Sequence, residues 1–180
     1  VNDVISESIF QFYHFLIIIA WFNFNTWGLQ PGFLPFAVQS VVISNEGLSD
    51  QLDDTSASFL GLAYSFGGLC LVLGDASTLF FQLPLIMSLI LFSCCSLMIY
   101  SSILIDIKWP KNGALIIIIL FSISRFLEAH VVTSLYRIIS SCNELNQKEK
   151  EVCAKAVGIA DMVATTVGVV LSTVIVQTYS

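Results

Sequence analysis

The stretch Leu83–Ile105, LPLIMSLILFSCCSLMIYSSILI, runs 23 residues without a charged side chain. A hydrocarbon core about 30 Å thick is crossed by about 20 helical residues rising about 1.5 Å each. This stretch is therefore long enough to span a bilayer, and its neighbours read the same way. Of 180 residues, 56% are hydrophobic and 11% charged, against about 45–50% and about 25% in soluble domains, and the mean hydropathy is +0.86. One compact core cannot absorb that excess, because a soluble surface must still face water. The composition excludes a soluble enzyme and a disordered chain. A nucleic-acid binder needs a basic balance, whereas the formal charge here is -6 with seven Lys and Arg.

Five stretches qualify as spans: about 10–43, 57–73, 79–105, 112–139 and 156–178. The fold class is all-α integral membrane, a polytopic bundle of about five transmembrane helices. The first span is interrupted by Gly28, Pro31, Gly32 and Pro35. Between the spans the sequence predicts an acidic loop over Ser44–Ser56, with Glu46, Asp50, Asp53 and Asp54. A tight turn is expected at Gly74-Asp75, a loop over Asp106–Lys111 and a polar loop over Ser140–Lys155. Counting Lys and Arg alone, Arg137, Lys148, Lys150 and Lys155 outvote Lys108 and Lys111. The expected orientation is a cytosolic N-terminus and an extracytosolic C-terminus. Tyr100 and Trp109 fit an interfacial aromatic belt. The chain begins at Val1 with no positive flank before its first apolar run and has no N-x-S/T sequon. An odd number of spans suggests the C-terminal half of a carrier built from two helical repeats around a midplane site.

Polar groups at membrane depth are costly and are functional candidates by default. The fourth span holds SISRFLEAHVVTSLYR, with Arg125 and Glu128 at i, i+3, where the two charges share a face and are expected to pair. Such a pair can hold a substrate, carry a proton relay or lock the helix to its neighbours. His130 faces elsewhere, either titrating or bonding a neighbouring helix. Ser134, Tyr136 and Arg137 approach the cytosolic end, with Arg137 read as a snorkelling anchor. In the first span Asn23, Asn25 and Gln39 supply amides, and Trp21, Phe24, Trp27 and Phe33 supply flat rings. Its interrupted backbone needs protein or a water-filled cavity beside it; a pathway there would suit a planar polar heterocycle, and the competing reading is a packed helix kinked by its prolines with the aromatics facing lipid.

Ala160, Ala164, Gly168 and Ser172 form a small-residue face for close helix packing, as do Ala63 and Gly67, with Gly68 adding flexibility. Asp161 is expected to stay solvated at the start of its span. Cys70, Cys94 and Cys95 read as small hydrophobes, and the cytosolic placement argues against a disulfide between Cys142 and Cys153. Zinc-hydrolase, dithiol, phosphate-loop and serine-hydrolase signatures do not occur. No cofactor and no catalytic or metal-ligating residue is expected.

Several short motifs resemble the C-terminal five spans of the eukaryotic riboflavin transporters. Gly32-Phe33-Leu34-Pro35-Phe36-Ala37-Val38-Gln39-Ser40 is similar to that family's NGxxPxxQS with one extra residue. Leu62-Ala63-Tyr64-Ser65-Phe66-Gly67 resembles LAxxLG, Ser134-Leu135-Tyr136-Arg137 resembles the polar-aromatic end of the fourth span, and Gly158–Gly168 resembles the last span in its small-residue spacing. Pro31 stands where the family has asparagine, and Arg125 and Glu128 are additions to its pattern. The resemblance implies a major-facilitator-like carrier of roughly eleven spans, of which this is the C-terminal half. It implies plasma-membrane uptake of riboflavin or a similar planar heterocycle by alternating access. The expected substrate-binding residues are Asn25, Trp27, Gln39, Arg125, Glu128 and Ser134. The expected partners are the lipid bilayer, the small-molecule substrate and the N-terminal half of the same chain, with no nucleic acid. Another solute carrier, for nucleosides for instance, and a non-transporting membrane scaffold are the alternatives.

Overall fold

The computed structural model describes residues 2–46, 52–105, 109–110, 112–141 and 147–179. Its elements are α1 (Asn2–Asn23), a π-helical segment (Phe24–Leu29), α2 (Gln30–Glu46), α3 (Leu52–Ser77), α4 (Leu85–Leu104), α5 (Gly113–Ser141) and α6 (Gln147–Tyr179). The protein is an all-α bundle, with no strand among the described residues. Four helical stretches are long and apolar enough to cross a membrane: Thr55–Ser77, Leu85–Leu104, Gly113–Ser141 and Gln147–Thr178. A long row of apolar side chains on their outer faces is exposed, among them Ile86, Met87, Ile90, Val163, Val167 and Val170. That pattern suits lipid as solvent and does not suit water.

The first expected span is differently built. Its glycines and prolines do not break the helix, which runs on from α1 through the π segment into α2. Proline lacks an N–H and its ring presses on the carbonyl four residues back. Just before Pro31 the backbone widens instead, and Gln30 N–H bonds the Asn25 carbonyl, five residues back. Pro35 then lies inside α2. The π segment divides this column into pieces, neither of which is among the four spanning stretches.

The expected turn at Gly74-Asp75 is corrected: both residues are helical and α3 ends at Ser77, with the reversal at residues 78–84. Leu79–Pro84 consequently leaves the third span, which Pro84 opens as the residue before α4. The acidic loop is shorter than expected, since Glu46 belongs to α2 and Asp53 and Asp54 to α3; Asp50 lies outside the described residues. The polar segment before the last span is helical from Gln147, where Lys155 pairs with Glu151 one turn back at 2.7 Å. Asp106, Lys108, Lys111 and Cys142 also lie outside the described residues.

Two apolar half-cores fill the bundle. One gathers Leu34, Val38 and Val41 of α2, Ala63 of α3, Ile99 of α4 and Ile117 and Phe121 of α5. The other gathers Ile19 and Phe22 of α1, Phe92 of α4, Leu127, Val131 and Leu135 of α5 and Val157 of α6. Along each shared helix the two are separated by a short polar interval: Asn25 to Gln30, Ser96, and Ser124 to Arg125.

Backbones meet where glycines permit. A side chain on Gly28 would stand 2.7 Å from Gly168 Cα, and one on Gly32 would stand 2.6 Å from Ser172 Oγ. Gly28 and Gly32 thus face Gly168 and Ser172, a four-residue spacing on both helices. On α3, Ala63 is fully buried, Gly67 abuts Phe121, and Gly74 lies against the Phe126 carbonyl of α5. Gly68 meets nothing within 4 Å.

Candidate functional site

The polar interval between the half-cores forms a layer midway along α4 and α5. Most of it is closed by hydrogen bonds. Asn25 Nδ2 donates to the Trp21 carbonyl at 2.8 Å, and its Oδ1 accepts from Tyr100 Oη at 3.0 Å. Gln30, fully buried, donates to Ser96 Oγ at 3.2 Å and Ser124 Oγ at 3.1 Å. The sequence reading missed Gln30; an amide flanked by apolar residues and facing serines on two other spans was the available signal. Tyr100, expected in an interfacial aromatic belt, reaches its hydroxyl to Asn25 in this layer while its ring packs on Phe33 at 5.0 Å.

Arg125 and Glu128 are the exception. Each is only 6% exposed, yet no ion pair joins them, in contrast to Lys155–Glu151 on α6. Trp27 comes between them. Its ring lies under the Arg125 guanidinium at 4.4 Å, with Phe121 on that cation at 5.0 Å. Its Nε1 donates to Glu128 Oε1 at 3.3 Å. Cation–π contact contributes about 0.5–2 kcal/mol, and the two rings occupy the guanidinium on this side of the helix. Arg125 Nη1, Glu128 Oε2 and, next to Trp27, Thr26 Oγ1 are buried without hydrogen-bond partners. Trp27 itself stays 47% exposed and covers the pair.

Around this trio the helices present further polar groups. Tyr64 of α3 is half-exposed and meets Phe121 edge-on at 5.9 Å. Asp75 of α3, which accepts from Thr133 Oγ1, and Asp161 of α6, which accepts from Thr165 Oγ1 at 3.4 Å, are within electrostatic reach of Glu128. Asp161, expected to stay solvated at the start of its span, is half-buried and lies well inside α6.

Of the expected binding residues, Trp27, Arg125 and Glu128 come together. Asn25 is adjacent in the layer, with its amide nitrogen bonded to the Trp21 carbonyl and its oxygen to Tyr100. Gln39 is elsewhere: twelve helical residues beyond Trp27 place it roughly 18 Å along the axis. Ser134 is half-buried on α5, its Oγ unpartnered, roughly 9 Å along the axis from Glu128.

His130 takes the structural role among the two weighed. Its Nε2 accepts from Leu83 N–H at 3.1 Å, so Nδ1 carries the proton and donates to Ser77 Oγ at 2.6 Å, and Ser77 passes its own proton to the Gly74 carbonyl at 2.6 Å. Phe81 and Phe126 stack on its two sides. Arg137 donates to the Thr78 carbonyl at 3.1 Å, adding a second tie to the same reversal.

Comparison with family models, with characterised proteins and with solved structures finds no match to this chain. The likeness to flavin carriers therefore rests on the sequence motifs themselves.

Proposed function

We propose that the protein is a multi-pass solute carrier whose substrate site is built on the Trp27–Arg125–Glu128 trio. The observation that supports this reading is the pair of opposite charges held midway through the bundle, buried, unbonded to each other and covered by one half-exposed ring. A scaffold gains nothing from that arrangement. Leaving one buried polar group unpaired costs about 1–3 kcal/mol and more for a charge, and Asn25, Gln30, Ser96 and Ser124 of the same layer avoid that cost. A ligand presenting an acceptor to Arg125 and a donor to Glu128, with a flat face for Trp27, would satisfy both groups. Midplane placement is where carriers hold their substrates.

In its specific form the proposal is riboflavin uptake across the plasma membrane, by alternating access, with a cytosolic N-terminus. Uptake of labelled riboflavin by cells expressing the full-length protein tests it. Saturable uptake, competed by unlabelled flavin and indifferent to nucleosides, is expected. Competition by nucleosides alone would move the substrate to that class. The absence of saturable flux for any solute, with the protein at the cell surface, would leave a scaffold role.

A further inference from the structure

The polar layer contains a second kind of site. Glu128 receives a single long hydrogen bond at 3.3 Å on Oε1 and none on Oε2. An ionised carboxylate offers about four acceptor positions, and a buried one left this bare is strongly disfavoured. The guanidinium that should neutralise it is instead drawn onto Trp27 and Phe121. The charged and titratable groups facing it from the packed elements are Asp75 of α3, Asp161 of α6 and Arg125 of its own helix, with Tyr64 beyond Arg125. Two acids and one base therefore act electrostatically on the carboxyl, and His130 is committed to Ser77 and Leu83 on another face. No group of three His, Cys, Asp or Glu residues among the described residues converges to hold a metal ion. The cation that this geometry accommodates needs no ligand shell.

We propose that Glu128 is a proton-binding site, loading and unloading one proton as the cover over the polar layer closes and opens, so that solute flux is coupled to proton movement. On loading, Oε2 takes a proton from water admitted on one side and becomes an O–H donor. On unloading, the proton returns to water on the other side and leaves the carboxylate with its Trp27 hydrogen bond and the nearby Arg125 cation. Trp27 positions the group in both steps, since its N–H holds Oε1 and its ring holds the guanidinium. The coupling rests on the carrier reading, whereas the proton site does not.

The test is infrared difference spectroscopy on the purified chain in lipid nanodiscs, recorded as pH is stepped through the carboxyl range. A protonated-carboxyl band is expected that is lost in Glu128→Gln and shifted in Trp27→Phe, which keeps a ring and removes the N–H. The second variant retains the carboxyl and reads the site even if the first does not fold. A band indifferent to both substitutions, or no carboxyl change with pH, overturns the proposal. Saturable uptake without the band sinks the proton site and spares the carrier. The band without uptake of any solute does the reverse.

Discussion

His130 illustrates how a titratable residue becomes a structural one. Both ring nitrogens are engaged, one by a backbone N–H of the α3–α4 reversal and one by Ser77. His130→Ala leaves those groups unpaired under two aromatic rings. The expected cost is about 1–3 kcal/mol, read as a lower midpoint of unfolding by denaturing detergent, with substrate affinity unchanged in the folded fraction. The Arg125–Glu128 pair shows where single-sequence reasoning stops. Their spacing placed them on one face, and both are buried there. What separates them is Trp27, about a hundred positions earlier in the chain, and nothing in the local sequence of α5 announces it. His130's role was one of two open readings for the same reason: its partners lie 53 and 47 residues away.

At the scale of elements, the apolar runs were legible because lipid imposes length and composition directly. Helix ends were less so, and Gly74-Asp75 continues α3 because Gly74 is needed for contact with α5, not for a turn. The small-residue face of α6 was legible in part: Gly168 and Ser172 pack closely as expected, but their partner, the first helical column, was not foreseen, because its Gly28 and Gly32 read as a break. Two substitutions on α6 separate contact from flexibility. Gly168→Ala drives a methyl to within 2.7 Å of Gly28 Cα and 2.6 Å of the Phe24 carbonyl, so a loss of about 1–3 kcal/mol is expected. Gly158→Ala meets nothing and should stabilise by about 0.5–1 kcal/mol through helix propensity. Thermal unfolding of the two variants in the same lipid measures both.

For the whole molecule, the division into two apolar half-cores and one polar layer was not readable from any single span. It emerges only when Asn25, Gln30, Ser96, Ser124 and Arg125 are brought to one level by four packed helical segments. The carrier reading requires that Trp27 face a wetted cavity, because its exposed ring covers two charges; a scaffold would turn that ring to lipid. Quenching of a variant that keeps Trp27 while Trp21 and Trp109 are replaced by Phe distinguishes the two. Acrylamide is expected to quench it, and lipids brominated near mid-chain are expected to leave it bright. The opposite pattern would place the ring against the bilayer.

The most direct measurement is initial-rate uptake by the full-length protein and by Arg125→Ala and Glu128→Gln variants, each normalised to the amount at the cell surface. Saturable uptake of labelled riboflavin that falls at least about tenfold in both variants, a loss of about 1.4 kcal/mol in transition-state stabilisation, is the predicted result. Uptake unchanged by either substitution would contradict the account, because the two buried, unpaired charges would then serve neither substrate nor flux.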